Sequence, residues 1–238
     1  MWLLLVLGYW LAVTLLAQIP FVGAALSTAL LPAFTMSFMT ACAVIESAGE
    51  LRPALLLAGF RRRTRPLVVL GVLYLISLVL VLAISALADG GVLATRMLTG
   101  QELQADGAEA ESMVRAMLLA MAAGAPVSLA FWFAPPLVAW AGMGAVQALF
   151  YSFFAGCRNW RAFLVYAGTL LLAVAALVTL LSLIVATLRG QPEAMPFVVL
   201  LFIVFWMPTL FGSFYASYRD VFPEERFASH PDDHAAPD

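Results

Sequence analysis

Of the chain's 238 residues 64% are hydrophobic and 11% are charged, and the net charge is −2. That balance leaves too little polar surface for a water-soluble fold and no basic excess for a nucleic-acid partner. Charge-free runs at Met1–Ile45, Pro66–Ala88, Ala116–Cys157, Ala162–Leu188 and Ala194–Tyr218 instead place the chain in a lipid bilayer.

A spanning helix needs about 20 mostly apolar residues, so the first run predicts two spans, approximately 2–18 and 21–45. The turn falls at Gln18-Ile19-Pro20, because proline lacks a backbone donor and disfavours helix in the residue before it. No cleaved secretory signal is expected, since Met1–Leu7 carries no basic residue and apolar sequence continues past Gln18. A third span is predicted at 66–88, closed by Asp89-Gly90-Gly91. The 89–114 segment, with Asp89, Glu102, Asp106, Glu109 and Glu111, reads as a loop outside the membrane. Glu102 to Met117 is helical in composition and should lead into a fourth span at 116–140.

The stretch Gly142–Cys157 holds three glycines, Gln147 and Ser152. Val146, Leu149, Phe150, Phe153 and Cys157 recur there at helical spacing, which suits an interfacial helix better than a crossing. Spans at 162–188 and 196–216 complete a set of six. Pro32, Pro126, Pro135 and Pro136 are expected to interrupt their helices. The 223–238 tail, with Pro231, Asp232, Asp233 and Pro237, reads as disordered, so the membrane domain occupies 1–222. A β-barrel is excluded because stretches such as Leu67–Leu82 do not alternate polar and apolar residues. The expected fold is an all-α, polytopic transmembrane helical bundle of about six spans.

Arginine placement orients it. All 12 basic residues are Arg. With a cytoplasmic N-terminus, Arg52, Arg61, Arg62, Arg63, Arg65, Arg158, Arg161, Arg219 and Arg226 fall inside, against Arg96, Arg115 and Arg189 outside. This positive-inside asymmetry puts both termini in the cytoplasm and the interfacial helices on the cytoplasmic side. A weak parallel repeat agrees with the same threading. Sliding the chain by 97 residues lays Ala58-Gly59-Phe60-Arg61 over Ala155-Gly156-Cys157-Arg158, and Gly71 over Gly168. The second and third spans then overlie the fourth and fifth.

Catalytic patterns are missing. No ionisable residue interrupts the spans, and the two histidines, His230 and His234, lie in the tail. Ser77, Ser128 and Ser182 have no histidine to activate them, and neither a metal nor another cofactor is expected. Cys42 and Cys157 read as unpaired small hydrophobes. The candidate contacts are instead to anionic lipid headgroups. Arg61, Arg62, Arg63 and Arg65 cluster beside the third span, and Arg158, Trp160 and Arg161 repeat that chemistry beside the fifth.

Phe133-Ala134-Pro135-Pro136-Leu137-Val138, Ser152-Phe153-Phe154-Ala155 and Arg158-Asn159-Trp160-Arg161-Ala162 carry a resemblance, as do Ser213-Phe214-Tyr215 and Ser217-Tyr218-Arg219-Asp220-Val221-Phe222. On these segments the chain resembles an uncharacterised proteobacterial family of six-span inner-membrane proteins. It is more distantly similar to the membrane domain attached to some glycerophosphodiester phosphodiesterases. Members of the six-span family carry a basic and aromatic stretch ahead of the first span that this sequence does not show. The resemblance implies an inner-membrane location and a six-helix fold, and implies no activity. Two roles are expected: a non-enzymatic membrane scaffold or envelope-associated factor, or a transporter of a small solute or lipid that uses no buried ionisable coupling residue.

Overall fold

The computed structural model of the chain describes residues 1–20, 22–61, 63–99, 107–187 and 195–222, the side chains of 195–199, 201, 202 and 205 excepted. The expected disordered tail, Arg62, Glu102, Asp106, Arg189 and Arg226 lie outside the described residues, as do His230 and His234. Among those described, every regular element is helical: α1 (Trp2–Ala17), α2 (Gly23–Glu46), a 3-10 turn at Pro53–Leu57, α3 (Ala58–Arg61), α4 (Thr64–Asp89), α5 (Val92–Thr99), α6 (Ala108–Trp132), α7 (Ala134–Ala139), α8 (Ala145–Arg158), α9 (Trp160–Thr187) and α10 (Met195–Val221).

Four of these stretches are long and apolar enough to cross a membrane: Gly23–Glu46, Thr64–Asp89, Ala108–Ala139 and Trp160–Thr187. The shortest, of 24 residues, extends about 36 Å at 1.5 Å per residue, against a hydrocarbon core of about 30 Å. Helix α1 is equally apolar but has 16 residues, or about 24 Å. Its end follows from the residues after it. Gln18-Ile19-Pro20 turns the chain, and the Gly23 N–H bonds the Ile19 carbonyl at 2.9 Å. A Cβ on Gly23 would sit 2.1 Å from the Leu16 carbonyl oxygen, so the turn closes only on glycine.

Two expectations change. Pro32 and Pro126 sit inside continuous α2 and α6. A proline removes one donor from a ladder that its neighbours keep intact, so it need not break a long helix. The break comes at Phe133 (φ −98°, ψ −1°), ahead of Pro135 and Pro136, which open α7. The stretch after Asp89 is also not a plain loop. Gly90 (φ 66°) caps α4, and the Asp89 carboxylate accepts the backbone N–H groups of Gly91 (2.8 Å) and Leu93 (2.6 Å). A side chain that satisfies the orphan donors of a new first turn starts a helix, here α5.

Contacts divide the chain into two units. The first comprises Met1–Leu15, Phe34–Arg62 and Ala155–Asp238. Its core is Leu5, Val6, Phe38 and Ala41, packed by Tyr9, Leu56, Met207 and Phe211 among others. Phe38 is its centre, stacked on Trp2 at 5.8 Å and on Phe211 at 4.6 Å. The Ser37 hydroxyl joins α2 to the 53–61 segment, donating to the Leu56 carbonyl (2.7 Å) and accepting the Gly59 N–H (3.1 Å). Helix α9 has no buried residue over 28 positions, and Tyr166 and Ser213 link it to α10 at 2.9 Å. An apolar helix that exposed is at rest in hydrocarbon and not in water.

The second unit comprises Leu16–Ala33 and Arg63–Phe154. Here α4 packs mainly on α6, with Tyr74 edge-on to Phe131 at 5.0 Å. Leu93, Met113 and Ala116 bury the seam of α5 and α6, and Arg96 and Glu109 pair above it at 2.5 Å. At the Phe133 break the Ser152 hydroxyl on α8 donates to the Leu129 carbonyl (2.7 Å) and accepts the Phe133 N–H (2.9 Å). Helices α2 and α4 meet at Gly71, where a Cβ would lie 1.8 Å from the Ala29 carbonyl oxygen. Gly71→Ala must therefore push two backbones apart. We expect a loss of about 2 kcal/mol, read as a lower unfolding midpoint in detergent. Gly168→Ala meets open space and should leave the midpoint unchanged.

Candidate functional site

The arginines singled out in the sequence occupy helix ends. Arg61 closes α3 in the first unit and is exposed. Arg63 and Arg65 belong to the second unit and are also exposed. Arg63 is the N-cap of α4 in the left-handed region (φ 50°), and its guanidinium donates to the Gly142 carbonyl. Gly142 is itself left-handed (φ 72°), and a Cβ there would stand 2.7 Å from the Arg63 Nη1, so the contact needs glycine. Arg63 thus bridges two turns of its unit while remaining exposed. Arg62 is outside the described residues.

Arg158, Trp160 and Arg161 come together. Helix α8 ends at Arg158, the Asn159 side-chain amide donates to the Ala155 carbonyl (2.9 Å), and α9 begins at Trp160. The Arg161 guanidinium lies 5.5 Å from the Trp160 ring centroid. These residues, with Ala162, line a shallow concavity of ≈ 450 Å³. Two cations, an indole and the positive end of a long helix dipole make that corner attractive to anions. The face of α8 is sorted by size: Ala145, Ala148, Ser152 and Gly156 are buried, while Val146, Phe150, Tyr151 and Phe154 are exposed. Leu149 and Phe153 lie partly buried between the two.

Sequence reasoning missed the polar cluster at the other ends of α2 and α10. Glu46 is the first charged residue of the chain and the last of α2. Its Oε2 accepts from the Tyr215 hydroxyl at 2.6 Å, and its Oε1 pairs with Arg219. These groups border a groove of ≈ 740 Å³ in the first unit, with Asp220 on the same rim. Trp2, Cys42, Ile45, Pro208, Gly212 and Ala216 supply its apolar wall. The i, i+4 spacing of Tyr215 and Arg219 put both on one helical face, which was readable in the sequence. Their partner, 169 and 173 residues away, was not.

Ser77 and Ser182 donate to the carbonyls of Leu73 and Val178 one turn back, at 2.8 Å each. Cys42 and Cys157 are free thiols. Among the described residues no His, Cys, Asp or Glu cluster could hold a metal.

A protein of Burkholderia thailandensis named "Probable inner membrane protein" is 38% identical to this chain over 221 residues, covering 90% of the chain and 81% of that protein. The chain belongs to that inner-membrane protein family. Its apolar helices are accordingly those of an integral membrane protein. No family model matches the chain, and no solved structure matches it.

The Glu46 cluster gives a stability test. Tyr215→Phe removes one charge-assisted hydrogen bond from a buried side chain and should cost about 1.5 kcal/mol. Glu46→Gln weakens an ion pair whose side chains are 36% and 49% exposed, so screening limits that term to about 1 kcal/mol. Tryptophan fluorescence during unfolding in micelles, with the double variant closing the cycle, measures both.

Proposed function

We propose that this chain is a six-span, non-enzymatic protein of the bacterial inner membrane that acts as a membrane scaffold or envelope-associated factor. Both of its termini are cytoplasmic. In this reading the tail 223–238 stays outside the bilayer, and Arg61, Arg62, Arg63, Arg65, Arg158, Trp160 and Arg161 contact anionic lipid headgroups at the cytoplasmic boundary. The observation that carries the reading is where the polar chemistry sits. Glu46, Arg219, Arg63, Arg158 and Arg161 all fall at helix ends, and the central parts of the long apolar stretches contain no Asp, Glu, Arg or His. Helices α1 and α10 bring the four long apolar stretches to six, and nine arginines then fall on one side against three. The amphipathic α8, with its aromatic outer face, is the kind of helix that lies in an interface.

A parallel repeat supports the same layout. Long helix, short helical segment and long helix occur in order as α2, 53–61 and α4, and again as α6 with α7, α8 and α9. Each half has a serine-closed junction, Ser37 with Leu56 and Gly59 in the first and Ser152 with Leu129 and Phe133 in the second, although the 97-residue shift lays Ser37 on Ala134 and Ser152 on Leu55. A serine closes each junction, from the long helix in the first and from the short helix in the second. That repeat favours the second reading, a transporter of a small solute or lipid, because such sites form between repeats. Against it stands the extent of the groove, which opens at the C-terminal ends of α2 and α10 and reaches inward to Pro208, about halfway along α10, and so offers no path across. The distant likeness to phosphodiesterase membrane domains adds no activity.

Reporter fusions test the threading. A cytoplasmic reporter should be active after Arg52, Arg161 and Phe222, and a periplasmic reporter after Thr99. Replacing Arg61, Arg62 and Arg63 with neutral residues should lower the yield of correctly threaded protein. Unchanged threading with lost binding to anionic vesicles would instead make the cluster a headgroup-recognition site. Flux of a solute or lipid across proteoliposomes, absent from empty liposomes, would replace the scaffold by the transporter.

A further inference from the structure

The groove in the first unit has two chemical ends. Its wall is apolar at Trp2, Ile45, Pro208 and Gly212, and its rim carries Glu46, Tyr215, Arg219 and Asp220. Both oxygens of Glu46 are engaged, one by Tyr215 and one by Arg219. The Asp220 carboxylate is exposed and makes no hydrogen bond or ion pair among the described residues. Arg219 gives one nitrogen to Glu46, and a guanidinium carries five N–H donors. The rim therefore offers spare donors and a spare acceptor on consecutive residues of α10, both of which line the groove.

We propose that this groove holds one zwitterionic phospholipid with a primary ammonium headgroup, its phosphate on Arg219, its ammonium on Asp220 and an acyl chain along the Trp2 and Pro208 wall. Charge complementarity selects it. Two carboxylates face one guanidinium, so the rim carries a formal charge of about −1 and repels a ligand that is anionic overall. A purely cationic ligand would leave the Arg219 donors and the apolar wall unused. A quaternary ammonium has no N–H to give Asp220, which disfavours the choline analogue. The groove's ≈ 740 Å³ lies within the range of about 300–1,000 Å³ typical of small-molecule sites. The bilayer around the ends of α2 and α10 supplies the ligand at high local concentration. This site is separate from the arginines assigned to anionic headgroups, and neither assignment depends on the other.

The test uses the full chain in nanodiscs of equal parts phosphatidylethanolamine, phosphatidylcholine and phosphatidylglycerol with identical acyl chains. Lipid retained after brief detergent exchange is quantified by mass spectrometry. Phosphatidylethanolamine should be enriched about tenfold over phosphatidylcholine, the value of one charge-assisted hydrogen bond. Asp220→Asn should abolish that enrichment with no change in unfolding midpoint, because Asp220 holds no hydrogen bond or ion pair among the described residues. Ala216→Leu, which narrows the wall, should lower retention of all three lipids. Equal retention of the three lipids by the unaltered protein overturns the proposal, as does preference for phosphatidylglycerol or an Asp220→Asn variant that keeps its selectivity. Displacement by soluble glycerophosphoethanolamine at equal concentration also overturns it, since the ligand would then be a cytosolic headgroup and not a lipid.

Discussion

Hydrocarbon offers no water to a peptide group, and the rest of this structure depends on that fact. Each N–H and C=O left open in the bilayer core costs several kcal/mol, so every regular element among the described residues is helical. The interesting places are where helices stop. At Phe133 the ladder breaks, and the Ser152 hydroxyl supplies both a donor to Leu129 and an acceptor for Phe133. Ser37 does the same for Leu56 and Gly59. A hydroxyl is suited to this because it gives one proton and takes another in a volume small enough for close packing. Short segments beside long helices become affordable only through such closures.

Charge obeys the same medium. The central parts of the long apolar stretches are free of Asp, Glu, Arg and His, and what charge there is gathers within the first or last few turns of the helices. Several of these charges are partnered: Glu46 with Tyr215 and Arg219, Arg96 with Glu109, Arg63 with the Gly142 carbonyl. The pairs at half-exposed ends add little stability one by one. Their role is to set which helix ends meet, and hence which grooves open at the boundary.

Apolar runs, turns and boundary arginines were legible in the sequence because each rests on local physics. The Pro20 turn, the Asp89 exit and the starts and stops of α4 and α9 agree to within a few residues with the expected spans. Arg158, Trp160 and Arg161 were legible as a group because they are adjacent in the chain. The proline reading failed at Pro32 and Pro126, where losing one donor did not stop a long helix. Helix α5 was missed because its start depends on how one carboxylate, Asp89, is aimed.

By itself the sequence determined that the chain lies in a bilayer, where its long apolar runs fall, and which boundaries are basic. Those follow from hydropathy and spacing, which act over a turn or two. Only the tertiary structure decided that α2 and α4 touch backbone to backbone at Gly71 and that Gly168 touches nothing. It alone joined Glu46 to residues more than 160 positions away and opened a groove beside them. In a chain this uniformly apolar every helix face looks alike in composition. Which faces meet is therefore set by small residues and single hydrogen bonds, and their partners become visible only once the helices are packed.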